Sequence, residues 1–117
     1  MSQISLIALD LDGTLLNSEK KISPRNRAAL AAAQAQGVKV VLTTGRPLKA
    51  MDFLLEELGT AGLKEEYTIT FNGGLVQRNN GEILSKVVLA PEDVATIHDE
   101  TVRLGLPLDA ISEGTGL

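Results

Sequence analysis

Asp10 and Asp12 stand one residue apart at the end of the apolar run Leu6-Ile7-Ala8-Leu9, and Gly13 and Thr14 follow at once. In an extended segment residues i and i+2 point the same way, so the two carboxylates leave the strand's carboxyl end together. Like charges about 6–7 Å apart raise each other's pKa unless a cation sits between them. Hard oxygen ligands completed by water suit Mg²⁺. Gly13 lets the backbone turn sharply, and Thr14 adds a hydroxyl and an N–H at the lip of that turn. A carboxylate in such a place can act as a nucleophile and form an aspartyl-phosphate. A metal would offset the repulsion between that carboxylate and an incoming phosphate. A second carboxylate can protonate the leaving oxygen and then activate water. The bland alternative, two acids capping a strand on a polar surface, does not account for the glycine or for the strand-end placement.

Two further segments end in the same manner. Thr43-Thr44-Gly45-Arg46-Pro47 and Asn72-Gly73-Gly74 each follow a short β-branched or apolar run. Glycine turns that expose N–H groups beside a helix start can hold an anion. Thr44 also reads as an ordinary turn residue. Arg46 stands equally as a surface ion-pair arginine, and Asn72 equally as a residue that holds its own turn.

The elements that must position these residues are legible from periodicity and caps. Ser5 to Asp10 reads as the first strand. Ser23 as N-cap, Pro24 at N1 and Gly37 just past the end bracket an alanine-rich helix over Arg25 to Gln36. The loop Asn17-Ser18-Glu19-Lys20-Lys21 between them is polar and expected to be exposed. Val38 to Thr43 is the second strand. A second helix is expected from Pro47 to about Leu58, with Met51, Leu54, Leu55 and Leu58 as its apolar stripe. Tyr67 to Phe71 is the third strand.

Strand and helix alternate with short connections, which predicts right-handed crossovers and a parallel sheet whose ligands gather at the strands' carboxyl ends. The pattern then changes. Leu75-Val76-Gln77 and Glu82-Ile83-Leu84 flank Asn79-Asn80-Gly81, a hairpin signal. A third helix begins near Pro91, carries Val94, Ile97, Thr101 and Leu104 on one face and stops at Gly105. Pro107 to Ile111 reads as one more strand, and Ser112 to Leu117 carries no structural signal. His98 reads as a solvated helix residue, and Glu56-Glu57 with Glu65-Glu66 as a solvated acidic face.

Bulk properties narrow the function. The chain has 117 residues, room for one small domain rather than two sizeable cores. Aromatic residues make up only 3%, so Leu, Ile, Val and Ala must build the core. A net charge of −4 argues against nucleic acid as a partner, since such binders need a basic face. The absence of cysteine excludes disulfides, thiolate metal sites and cysteine nucleophiles. No run approaches the ~18 apolar residues of a membrane span, and no basic segment precedes the first apolar run as in a signal peptide. A cytoplasmic protein with no membrane partner is the expectation.

Asp10-Leu11-Asp12-Gly13-Thr14 resembles the first motif of the haloacid dehalogenase superfamily of phosphatases. Leu42-Thr43-Thr44-Gly45-Arg46-Pro47 and Thr70-Phe71-Asn72-Gly73-Gly74 resemble its Cof-type sugar phosphatase branch, and the likeness covers nearly the whole chain in order. The resemblance implies a Rossmann-like parallel sheet with flanking helices over residues 1–86, an incomplete haloacid dehalogenase-like core. Residues 87–117 would be the start of a truncated α/β cap.

By the same resemblance Asp10 is the nucleophile and a Mg²⁺ ligand. Asp12 is the general acid/base and lends the metal its backbone carbonyl. Thr44 with Gly45 binds the transferring phosphate, while Arg46, Asn72 and Gly73 lie near the substrate. The substrate would be a small phosphorylated metabolite, such as a sugar phosphate.

Members of the family carry two later motifs, a phosphate-holding lysine and a further acidic segment, and neither pattern occurs in these residues. The expectation is thus the N-terminal portion of a longer enzyme, with little activity alone. Two other readings compete with it. A non-catalytic remnant or interaction module would self-associate through an exposed sheet edge. A receiver-type phospho-acceptor domain would place an aspartate after its third strand, where this chain has Asn72-Gly73-Gly74.

Overall fold

The computed structural model describes residues 3–111. It contains five strands, β1 (Leu6–Asp10), β2 (Lys39–Thr43), β3 (Tyr67–Thr70), β4 (Leu75–Arg78) and β5 (Ile83–Lys86), and three α-helices, α1 (Pro24–Ala35), α2 (Asp52–Glu57) and α3 (Pro91–Leu104). The strands form one sheet in the order β1-β2-β3-β4-β5. The first three run parallel, and β4 and β5 return antiparallel as a hairpin. This is the α/β, Rossmann-like arrangement expected from the alternation of elements.

Local chemistry explains the elements. The Ser23 side chain accepts a hydrogen bond from the Asn26 N–H, Pro24 occupies the first turn, and Gly37 follows the helix at φ +86°. That left-handed conformation costs glycine little, which is why the helix stops there. At the other end of the chain, Gly105 closes α3 at φ +68°.

The core lies on one face of the parallel strands. Leu42 of β2 is fully buried and packs with Leu30 of α1, with Leu54 and Leu55 of α2, and with Leu58 and Met51 at the two ends of α2. Leu11, Leu15, Leu16 and Ile22 join the same cluster, so the segment that carries the two aspartates is anchored from below. Bonds between the helices fix their spacing. The Gln34 side-chain amide donates to the Leu58 carbonyl at 3.2 Å, and Arg27 pairs with Glu57. Glu66 likewise pairs with Lys39, so two members of the acidic group expected to form a solvated face are ion-paired instead. His98 is solvated as expected, its side chain 62% exposed.

Three expectations change. The second helix does not run unbroken from Pro47. Its first turn, Leu48–Met51, is a 3₁₀ helix entered from an extended Pro47, no side chain caps either start, and α-helix begins only at Asp52. The apolar stripe nonetheless faces the core as its spacing requires. The apolar run of β1 is half exposed, with Leu6 at 51%, since among the described residues β1 is the outermost strand of the sheet. Residues 107–111 form no strand. Leu108 and Ile111 instead line a groove of about 580 Å³ with Val94 and Ile97 of α3 and with Phe71 and Leu75. Ser112 to Leu117 lie outside the described residues.

Candidate active site

Parallel pairing sets Asp10 opposite Thr43, so the ends of β1 and β2 lie side by side. The chain turns immediately after β1. The Thr14 N–H donates to the Leu11 carbonyl at 3.1 Å, and Gly13 supplies the required positive φ of +77°. The Thr14 hydroxyl reaches back to Asp10 Oδ2 at 3.5 Å. Leu11, between the two acids, is buried, while Asp10 and Asp12 are exposed on the upper side of the turn. The alternation inferred from the sequence therefore holds.

Thr44, Gly45 and Asn72 form a second layer beside them. Thr44 is buried, and its N–H donates to the Ile69 carbonyl of β3 at 3.0 Å. The Asn72 N–H donates in turn to the Thr44 carbonyl at 3.0 Å, which ties the turn after β3 to the turn after β2. The Thr44 hydroxyl accepts from the Arg46 N–H at 3.0 Å, and its own proton is left for another acceptor. A Cβ on Gly45 would stand 3.0 Å from Asn72 Oδ1, so a larger residue there requires that amide to give by a few tenths of an ångström. Phe71, Asn72 and Gly73 all have positive φ, at 51°, 55° and 95°. Two successive left-handed non-glycine residues are uncommon. They turn Asn72 back over Gly45.

Arg46 is placed by this turn to meet Asp12. Its Nη2 lies 3.1 Å from Oδ1 and 3.2 Å from Oδ2. The ammonium of Lys20 donates to the same Oδ1 at 3.0 Å. The Lys20 hydrogen bond above all, with the charges of Arg46 and Lys20, holds the Asp12 carboxyl below the usual carboxylate range, and partial desolvation opposes this only in part. The ion-pair reading of Arg46 is thus the contact present in the structure.

Lys20 is the site residue that sequence reasoning missed. Its loop reads as polar and exposed, and nothing in its composition shows that the chain doubles back there. The remaining signal was Asn17, whose side chain accepts from the Glu19 and Lys21 N–H groups and closes the turn.

The donor set suits a hard divalent cation. Asp10 offers acceptor-only oxygens at an exposed turn, and Mg²⁺ commonly binds through one or two carboxylates with retained water. The Asp12 carboxylate is engaged by the Lys20 ammonium and the Arg46 guanidinium. Among the described residues no three Asp, Glu or His side chains converge on one point.

A family profile described as haloacid dehalogenase-like hydrolase matches residues 7–115. The chain is 38% identical over 96 residues to the 5-amino-6-(5-phospho-D-ribitylamino)uracil phosphatase YcsE of Bacillus subtilis, covering 82% of this chain and 37% of that protein. It is 32% identical over 85 residues to an HMP-PP phosphatase of Cronobacter sakazakii, covering 73% of this chain and 30% of the relative. Among solved structures, a haloacid dehalogenase-like hydrolase from Bacteroides thetaiotaomicron superposes with a TM-score of 0.73 at 36% identity, over 86% of this chain and 38% of that one. The chain therefore spans well under half the length of the proteins it matches. The order of the strands, the paired aspartates at the end of β1 and these matches agree: the chain belongs to the haloacid dehalogenase-like hydrolase family.

Proposed function

We propose that this chain carries the nucleophile and phosphate-binding half of a Mg²⁺-dependent phosphatase acting on small phosphorylated metabolites, sugar phosphates or similar. The observation that carries the reading is the placement of Asp10 beside the Thr44-Gly45 turn. It joins an exposed carboxylate, a hydroxyl proton and a backbone N–H at one sheet edge. The phosphatases among its relatives support the same reaction class.

In this reading an Asp10 oxygen attacks phosphorus, and the bond to the leaving oxygen breaks. Asp12 gives its proton to that oxygen. The Thr44 hydroxyl and the Gly45 N–H hold the phosphoryl oxygens in place for attack. In the second half Asp12 takes a proton from water, which attacks the aspartyl-phosphate and releases phosphate, restoring Asp10. When bound, Mg²⁺ would be held by the Asp10 carboxylate and the Asp12 carbonyl and would neutralise charge between Asp10 and the phosphoryl group. Lys20 and Arg46 favour ionised Asp12, the form that accepts a proton. Its acid role calls for these cations to turn onto the substrate. Asn72 and Gly73 shape the wall behind Gly45, and the residues from Val87 onward begin a cap over this edge.

Beryllofluoride, which mimics a phosphoryl group on a carboxylate, tests the central claim. With Mg²⁺ present, the protein should show a bound ¹⁹F resonance that disappears in Asp10→Asn and on chelation of the metal. A bound signal that persists in Asp10→Asn would remove Asp10 from the role of nucleophile.

A further inference from the structure

Lys20 is delivered to Asp12 by a built turn rather than by a free loop. Leu16 and Ile22 at the base of the loop are buried and bridge each other. Above them the Asn17 side chain accepts from Glu19 N–H at 2.9 Å and from Lys21 N–H at 3.1 Å. The Lys20 N–H donates to the Asn17 carbonyl at 2.9 Å, and Lys20 itself takes a left-handed φ of 61°. That conformation is uncommon for lysine, and here it returns the ammonium to Asp12.

The donors on the two cations are only partly used. An arginine usually grips a carboxylate with two nitrogens side by side. Arg46 meets both oxygens of Asp12 through Nη2 alone, so Nε and Nη1 make no bond to it. Lys20 places one of its three donors on Asp12. Two cations face the one carboxylate of Asp12, with Asp10 the other acid at this turn, and both side chains reach solvent, Lys20 at 64% and Arg46 at 35% exposure. If Asp12 serves the leaving oxygen, these two cations face the leaving group. The transferring phosphoryl group belongs to Asp10, Thr44 and Gly45.

We propose that Lys20 and Arg46 form a binding point for a second anionic group on the substrate, close to the scissile oxygen. The preferred substrates then carry a carboxylate or a second phosphoryl group beside the phosphate that is removed. This deepens the phosphatase reading and rests on it. A neutral leaving group gives the two cations no partner better than Asp12. An anionic one offers acceptors to the open donors of both and draws them off Asp12.

Three hydrolysis-resistant ligands test the proposal by calorimetric titration of the protein with Mg²⁺ present. Methylphosphonate carries one anionic group, phosphonoacetate adds a carboxylate, and methylenediphosphonate adds a second phosphoryl group. At least one of the last two should bind tenfold or more tightly than methylphosphonate, and which one does identifies the second group. Lys20→Met should remove most of that gain, costing the two-anion ligand at least fivefold more affinity than it costs methylphosphonate. Lys20→Arg should keep it, and the circular dichroism of both variants should match the parent. Equal affinity for all three ligands, or a Lys20→Met loss shared by all three, would overturn the proposal. Thr44→Val separates the two levels of the argument. If it weakens every ligand but the second anion brings no gain, only the Lys20 inference fails. If it leaves methylphosphonate binding untouched, the phosphoryl placement fails and this inference with it.

Discussion

A Cβ on Gly45 would stand 3.0 Å from Asn72 Oδ1 and 3.2 Å from its amide nitrogen, closer than ordinary contact. Gly45→Ala must push Asn72 aside, and overpacking of this kind costs roughly 1–3 kcal/mol. Urea denaturation should therefore show a lower midpoint for Gly45→Ala. Asn72→Ala in the same chain should recover part of the loss, so that the two changes are not additive. Additive losses would mean that the two residues do not press on each other. Neither partner's role is visible in the sequence. Thr44-Gly45 and Asn72 read as separate turns because only the β2–β3 ladder brings them together. Lys20 is hidden for a similar reason, since its contact depends on one left-handed residue in a polar loop. Asp10 and Asp12 are legible because their relation is local and follows from a period of two.

The helices divide along the same line. α1 buries only Leu30, so its stability leans on its own signals more than on packing. The Ser23 cap should count accordingly. Ser23→Ala is expected to cost about 1 kcal/mol, and Ser23→Asp close to nothing. Unfolding of both variants in urea, with unchanged slope, checks this, and an Ala variant as stable as the Asp one would discount the cap. These local signals are why α1 is readable almost to the residue. The stripe of α2 is readable too, but its 3₁₀ entry is not, because the entry reflects how Pro47 leaves the turn that Arg46 shares with Asp12. Between β3 and the hairpin, buried polar pairs replace apolar ones. The Thr68 hydroxyl donates to Asn79 Oδ1 at 2.6 Å, and the Thr70 hydroxyl to Gln77 Oε1 at 3.2 Å. Asn79 reads as a turn residue in the sequence, yet it also ties the hairpin to Thr60 through its amide.

For the molecule as a whole, the exposed flank of β1 matters most. An edge strand presents N–H and C=O groups in a row to any chain that can pair with it. Leu6 and Ile4 stand exposed on or beside it, at 51% and 72%. Concentration-dependent association in sedimentation velocity is the expected behaviour of this chain. Leu6→Lys, a charge of the kind that natural edge strands carry, should shift the distribution toward monomer. A monomer at all concentrations would show that this edge does not recruit a partner. Among the described residues β2 is the sole neighbour of β1, so the apolar run Leu6-Ile7-Ala8-Leu9 leaves one flank open in this chain.

The strand order has a kinetic side as well. Each strand of this sheet pairs with the one that precedes it in the chain. Each pairing thus closes only the loop just completed, and the cost of closure rises slowly with loop length. The sheet can therefore grow by successive addition from β1 to the hairpin. The parallel ladders still join residues far apart in the chain, Leu6 with Lys39 and Leu42 with Thr68, so they form more slowly than the local β4–β5 hairpin. The turn that holds Asp10 and Asp12 would be the earliest part of the sheet edge to be laid down, with Thr44 and Asn72 added to it in turn.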